Sequence, residues 1–431
     1  MVVMKERIVI ILTAIIVVFT VVVMCGRGGG GESTSSTMST TGDGQKTTNS
    51  RFAKPDKEFT VLPPSTTPEQ QQNNLKKIVI TGGAGFIGSQ LGYHLHQKGH
   101  PVVLIDNLEY GYRDNLEVDG NKFGTFILGD VLDPRIWEYL KDTDVLFHFA
   151  ALSALPVCQN QPQKATEVNV AGTAAMLEAA RMHGVRRFMF ASTSAVYEEN
   201  TGTLTEDEHV TPHLLYSATK QQSEIIVRGY DKVYDLDTVI LRFFNVYGPH
   251  QDFRRKSPPF TSYIVRELAY GRAPVLHSSG DQSRDYIYLD DLLRLVTSAM
   301  VVPAARGQTF NVASGTSHSV KEMYGIVAKL MHKENISPIY HTAGDFWKAY
   351  PQLFQGAKPI QKSILEKEVN KNVFGNNSKA KEILGWEPKV TMKEGLKEMV
   401  KFIRGKQKDG SMASQFDTAW SSPSSSSTKK K

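Results

Sequence analysis

The chain has 431 residues, 40% of them hydrophobic and 22% charged, enough for one large or two moderate globular units with a substantial core. Its net charge of +6 is modest and is partly carried by Lys429, Lys430 and Lys431 in the tail, so composition does not indicate a nucleic-acid surface. Cys25 and Cys158 are the only cysteines; they can build neither a disulfide framework nor a cysteine zinc site, and no metal centre is expected.

In chain order, the first feature is Ile8 to Cys25, an uncharged run of 18 residues behind Lys5 and Arg7. As a helix it would extend about 27 Å, close to the hydrocarbon thickness of a bilayer. A cleavable signal peptide has a shorter apolar stretch, so residues 1–25 are expected to be a cytosolic tip and one transmembrane signal-anchor helix. Only Arg27 closely follows the run, which predicts a single-pass type II topology, with the folded domain in the lumen of the Golgi or endoplasmic reticulum. The acceptor triplets Asn335-Ile-Ser337 and Asn376-Asn-Ser378 are compatible with that topology. Residues 26–74, rich in Gly, Ser, Thr and Gln, predict a disordered stalk, and residues 406–431 a disordered tail.

Between stalk and tail, strands are expected at 77–81, 101–106, 125–129, 144–149, 186–192 and 238–244, with helical patterns between them. This alternation predicts an α/β fold built on a doubly wound parallel sheet. Gly82, Gly85 and Gly88 fall between the first strand and an apolar helical pattern, Phe86, Ile87, Leu91 and Leu95. Such a turn lets the backbone approach a pyrophosphate at a helix N-terminus, although a glycine-rich turn of some other α/β domain gives the same spacing. Asp106 ends the next strand, where a carboxylate accepts bonds from a ribose 2′-hydroxyl and repels a 2′-phosphate, so NAD is favoured over NADP. Asp130, Ala150, Ala151 and Thr193 follow later strands, where such sheets bind ligands. Asp130 reads equally as an adenine contact or as a turn-capping residue.

Tyr216 and Lys220 are four apart in a helical stretch and share a face. A tyrosine acts as a base near neutrality only if its phenolate is stabilised, which an adjacent ammonium and a nicotinamide cation would do. Thr193 offers a hydroxyl to hold the same substrate oxygen. By themselves Tyr216 and Lys220 also fit an amphipathic surface pair. Arg254-Arg-Lys256 reads as a solvated loop.

With Gly129-Asp130, Phe149-Ala-Ala151, Asn169-Val-x-Gly-Thr173, Ser192-Thr-Ser-Ala-Val-Tyr197, Arg242-Phe-Phe-Asn-Val-Tyr-Gly-Pro249, Arg284-Asp-Tyr-Ile-Tyr-Leu-Asp-Asp291 and Leu384-Gly-Trp-x-Pro388, the chain from about Lys77 to Arg404 resembles the extended short-chain dehydrogenase/reductases, specifically their nucleotide-sugar epimerases and dehydratases. The resemblance implies a Rossmann domain over 75–249 and an interleaved, smaller C-terminal α/β substrate-binding lobe over 250–405. It implies NAD held by Gly82, Gly85, Phe86, Ile87, Gly88, Asp106, Asn107, Asp130, Val131, Ala150, Ala151, Asn169, Tyr216 and Lys220. Thr193, Tyr216 and Lys220 would be catalytic, Thr193, Ser194, Asn245 and Arg284 would bind a nucleotide sugar, usually a UDP-sugar, and the chain would be a homodimer. Trp386 is expected to be an aromatic plug rather than a ligand contact.

The departures narrow the reaction. Ser194 and Ala195 stand where dehydratases of this family carry an Asp-Glu pair and the glucuronate decarboxylases a Glu, and an alanine cannot move a proton. The expected activity is therefore 4-epimerisation of a UDP-sugar through a transient 4-keto intermediate. A decarboxylase, dehydratase or reductase on the same substrates is the alternative, and a membrane-tethered NAD-binding module without chemistry a remoter one. Glu198 replaces a common glycine, His250 a frequent arginine, and no arginine occurs between Gln355 and Asn377, leaving Arg254, Arg255 or Lys358 to hold a diphosphate.

Overall fold

The computed structural model of the chain describes residues 52–64, 76–255 and 258–408. The expected anchor at 1–25 lies outside the described residues, as do most of the stalk and the tail beyond 408. Among the described residues no helix is long and apolar enough to cross a membrane.

The strands that position the site are β1 (Asp56–Thr60), β2 (Lys77–Thr81), β3 (Val102–Asp106), β4 (Thr125–Leu128), β5 (Thr143–His148), β6 (Arg187–Thr193), β7 (Gly202–Leu204), β8 (Asp237–Phe243), β9 (Asn245–Tyr247), β10 (Ser283–Tyr288), β11 (Thr309–Val312) and β12 (Val373–Gly375). The main helices are α1 (Phe86–Gln97), α2 (Gly172–Met182), α3 (Leu215–Tyr234), α4 (Phe260–Ala269), α5 (Leu289–Val301), α6 (Val320–Met331), α7 (Lys362–Asn370) and α8 (Met392–Lys408).

Eight strands make one sheet in the order β1-β4-β3-β2-β5-β6-β8-β11, and every pairing but β1 with β4 is parallel. A parallel sheet is covered on both faces, and its side chains divide accordingly. Ile78, Ile80, Leu104 and Phe147 face one layer with Leu91 and Leu95 of α1 and Leu292 and Val296 of α5. Val79, Val103, Ile105 and Leu146 face the other with Met176 and Leu177 of α2 and Val227 of α3. Winding out from β2 to β3 and β4, then back across to β5, leaves a topological switch point between β2 and β5, where such sheets open a ligand crevice.

The structure differs from the sequence reading at β1, which lies inside the expected stalk. Its pattern Asp-Lys-Glu-Phe-Thr offers a single large apolar residue, yet Phe59 packs on Phe126 at 5.9 Å between centroids and Arg113 pairs with Glu58. An edge strand needs only one apolar anchor, and that signal is too weak to read from composition.

A second sheet, β9-β10-β12-β7, carries the lobe. Ile264 and Leu268 of α4, Met323 and Val327 of α6, and Leu396, Met399 and Ile403 of α8 form its core with Tyr247, Tyr286 and Tyr288. Asp285 on β10 accepts bonds from the amides of Ser314, Gly315 and Gly375, and Asp291 from those of Lys389 and Val390. Trp386 is the expected plug: it is buried and its Nε1 donates to the Asp291 carbonyl at 2.9 Å.

Candidate active site

A cleft of about 480 Å³ opens at the carboxyl ends of the parallel strands. Gly82 takes φ +72°, and a side chain there would meet the Ala150 amide nitrogen at 2.7 Å, so the turn after β2 lies directly on the strand end after β5. A Cβ at Gly88 would fall 2.2 Å from the Gly82 carbonyl oxygen, which restricts this position in the first turn of α1 to glycine. The N-terminus of α1 has no side-chain cap and no acidic residue in its first turn. Its free amides and partial positive charge face the cleft, an arrangement that fits a pyrophosphate.

Asp106 sits at the end of β3 and accepts from the amides of Ala84 (3.0 Å) and Leu108 (2.8 Å), which aim its carboxylate at the glycine turn. Burial raises its pKa, and these two amides work against that rise. Asn107 donates to Asp130 at 2.9 Å, and Asp130 also accepts from the Leu132 amide at 2.9 Å, so Asp130 both forms a turn and lines the cleft. With Phe86, Ile87, Val131, Ala150 and Ala151 on the same walls, the residues present fit a dinucleotide.

Thr193, Tyr216 and Lys220 line the same cleft. Tyr216 and Lys220 project from the start of α3 rather than forming a surface pair, and Tyr216 shares a hydrogen bond with Thr193 at the end of β6. Burial pushes the Tyr216 phenol up to about 12, with the Thr193 bond opposing and the Cys158 thiol adding to the rise. Burial also lowers Lys220, to about 8. Its Nζ donates to the Ala191 carbonyl at 2.8 Å and stands 4.8 Å from the centre of the Phe190 ring. Asn245 lines the lobe side of the cleft and donates to the Asp285 carbonyl at 2.9 Å.

Three expected site residues do not line the cleft. Asn169 is fully buried: its amide bonds the Leu152 amide, the Leu152 carbonyl and Thr219, tying the loop after β5 to α3. Ser194 opens a short 3-10 turn behind Thr193, whose hydroxyl accepts from the Ala195 amide at 3.1 Å. Arg284 donates to the carbonyls of Ser283, Glu368 and Val369, at the C-terminal end of α7. The loop expected to be solvated also differs, because Arg254 is largely buried, stacked 4.4 Å from the Tyr112 ring centre and 2.9 Å from Asp114.

Several residues gain roles that spacing alone did not give. Glu224, one turn beyond Lys220 on α3, accepts from Ser192 of β6 (2.6 Å), from Arg242 of β8 (2.9 and 2.8 Å) and from Arg228 (2.9 Å). Arg242 and Ser192 are register partners on adjacent strands, so this buried pair bolts the helix to the sheet. Glu198, noted only as a departure, accepts from the amides of His213 and Leu214 and so fixes the segment that leads into α3. His148, fully buried at the end of β5, bonds Thr81 at 2.8 Å and Thr173 at 3.2 Å, and burial lowers its pKa to about 3. A lone histidine in an apolar strand gives no such signal from sequence.

A doubly wound sheet with an uncapped glycine turn at its switch point and a Thr, Tyr and Lys set facing that turn defines a short-chain dehydrogenase/reductase. The chain belongs to the NAD dependent epimerase/dehydratase family, whose match spans residues 78–313, and NAD is its cofactor. It is 33% identical to the UDP-glucose 4-epimerase of Mycolicibacterium smegmatis, over 76% of this chain and 98% of that protein. It is also 30% identical to the UDP-N-acetyl-alpha-D-glucosaminuronate decarboxylase of Bacillus cytotoxicus, over 77% of this chain and 98% of that one. Among solved structures it resembles the UDP-glucose 4-epimerase of Thermotoga maritima with UDP-glucose, at a TM-score of 0.67 and 28% identity, covering 77% of this chain and 99% of that one.

Proposed function

We propose that this enzyme interconverts the C4 epimers of a nucleotide sugar, with a UDP-sugar as substrate. The observation that carries this reading is the inventory of proton-transfer groups around Thr193: Tyr216 and Lys220 are present, and the next residues are Ser194 and Ala195. Elimination of water needs an acid and a base at neighbouring carbons, whereas epimerisation at one carbinol needs a single group that takes and returns one proton. Bound NAD supplies a reversible hydride acceptor. Tyr216, as phenolate, takes the proton of the sugar 4-hydroxyl, and Thr193 holds the same oxygen through the hydrogen bond it shares with Tyr216. Burial holds the phenol up at about 12, and the positive charges of Lys220 and of the nicotinamide of bound NAD would favour the phenolate against it. The 4-keto sugar must then turn over within the cleft, and Tyr216 returns the proton when the opposite face is reduced.

The test is incubation of the purified chain with a panel of uridine and thymidine diphosphate sugars, without added reductant, with products identified by chromatography and mass. The expected result is a mixture of 4-epimers of unchanged mass. Release of carbon dioxide would favour the decarboxylase, loss of water the dehydratase, and NAD binding without any product a non-catalytic module.

Exposed apolar residues on α2 and α3, namely Met182, Ile225, Val233 and Tyr234, support a homodimer through these two helices. Ile225→Lys should then yield a monomer by light scattering. The uncharged run at 8–25 supports a type II membrane protein with a lumenal catalytic domain. Asn335 is exposed, whereas Asn376 is half-buried with its Oδ1 bonded to the Ser378 amide. A single glycan, lost in Asn335→Gln, and protection from protease in sealed microsomes are expected; digestion without detergent would reject this orientation.

A further inference from the structure

A sugar nucleotide brings a diphosphate into the cleft, and among the described residues one basic side chain beside it stands apart from the rest. Among the residues lining the cleft the cations are Lys220, held by the Ala191 carbonyl, and Arg255. Arg284 lies outside the cleft lining and turns its Nη1 and Nη2 to three backbone carbonyls, and Arg254 is committed to Tyr112 and Asp114. Arg255 differs. Its Nε is buried without a hydrogen bond, its nearest counter-charge is Asp252 at 3.4 Å, and its side chain keeps 35% of its surface open. Asp252 directs Oδ1 at the amides of Arg254 (2.8 Å) and Arg255 (3.4 Å) and shares a hydrogen bond with Tyr112, so it fixes the loop more than it neutralises the guanidinium. The buried Arg266 holds the backbone from beneath, donating to the Arg255 carbonyl at 3.1 Å. The result is a planar fork of donors on a pinned backbone, beside Gln251, Phe260 and Thr261 on the lobe wall.

We propose that Arg255 binds the diphosphate of the sugar nucleotide, in place of the arginine that this chain lacks between Gln355 and Asn377. A guanidinium suits this task because its donors match two phosphate oxygens at once, which a lysine cannot reproduce. The inference rests on the sugar-nucleotide reading above.

Calorimetric titration of the NAD-loaded chain with UDP, dTDP and uridine tests it, comparing wild type with Arg255→Gln and Arg255→Lys, with NAD content and melting temperature measured alongside. Loss of the charged bonds should weaken UDP or dTDP binding by about ten- to a hundredfold in Arg255→Gln, with partial recovery in Arg255→Lys. Uridine affinity, NAD content and melting temperature should stay the same. Nucleotide binding within twofold of wild type, or a loss that falls on retained NAD instead, would overturn the assignment. A wild-type chain that binds neither UDP nor dTDP would overturn the sugar-nucleotide reading, and the Arg255 assignment with it.

Discussion

Replacing Glu224 with alanine removes the carboxylate that anchors α3, the helix that carries Tyr216 and Lys220. Glu224 is 1% exposed and Arg242 3%, so the truncation leaves a guanidinium buried with its Nε and Nη2 donors unpaired. Breaking one side of a buried pair costs about 3–5 kcal/mol, chiefly through the charge left behind. For a folded unit of this size that corresponds to a fall in melting temperature on the order of 5–10 °C. Glu224→Leu combined with Arg242→Met removes both charges and should lose much less than Glu224→Ala alone, since hydrophobic replacement of a buried pair is often near neutral. The pH dependence has a definite sign. Burial opposes the Glu224 charge, but the bonds from Arg242 and Ser192 prevail and hold its pKa below the usual glutamate value. The stabilisation is complete above the unfolded glutamate's titration and is lost as pH falls through the lower folded one. Urea unfolding across that acidic window, wild type against Glu224→Gln, measures it, with turnover followed in parallel because Tyr216 and Lys220 ride on the same helix. A loss below 1 kcal/mol in Glu224→Ala, with unchanged turnover, would refute the anchoring role.

Three further outcomes are expected. Tyr216→Phe should retain bound NAD but lose turnover by on the order of a hundredfold or more; near-normal rates would remove Tyr216 as the base. Gly88→Ala should purify with little NAD while keeping its fold by circular dichroism, because the new Cβ collides with the Gly82 carbonyl oxygen, a backbone atom that cannot yield without opening the turn. His148 stays neutral in the fold down to about pH 3, while its unfolded counterpart takes up a proton below about 6.5. Stability should therefore fall as pH drops through that interval, by at most on the order of 5 kcal/mol from this residue, and His148→Gln should flatten the curve in urea titrations.

The parallel sheet was legible because its strands are continuous β-branched and aromatic runs such as Lys77–Thr81 and Arg187–Thr193, which only a sheet buried on both faces accommodates. The cofactor wall was legible for a different reason: glycines at 82, 85 and 88 and the spacing of Tyr216 and Lys220 answer to local geometry, turn and helix respectively. What escaped was tertiary. Glu224, Arg242 and Ser192 are far apart in sequence and meet only when α3 packs across β6 and β8. Glu198 reads as a misplaced charge until the chain brings it under the amides of His213 and Leu214, just ahead of α3. Arg254 looks solvated in a run of three cations, and only the folded lobe sets it on Tyr112. Arg284 carries the fork expected of a phosphate ligand, but the C-terminal carbonyls of α7 reach it first.

These two kinds of contact divide the site by rigidity. On the Rossmann side, Tyr216 and Lys220 stand on a helix tied to two strands by charged, buried hydrogen bonds, and Thr193 ends one of those same strands. The geometry proposed for proton transfer thus shares its fixings with the sheet and shifts only if an ion pair breaks. On the lobe side, Asn245 and Arg284 are held by backbone carbonyls, and the loop carrying Asp252 to Arg255 is latched across to Tyr112 and Asp114 by a stacked ring and surface-accessible charges. Such contacts rearrange at a cost of about 1 kcal/mol each. On the proposed reading, substitutions in the lobe should therefore change which sugar is accepted without disturbing Tyr216, the proposed base, while substitutions at Glu224 or Ser192 should impair every substrate alike. Comparing the two classes of variant over one substrate panel separates binding from chemistry: the first should redistribute KM among sugars, the second should lower kcat uniformly.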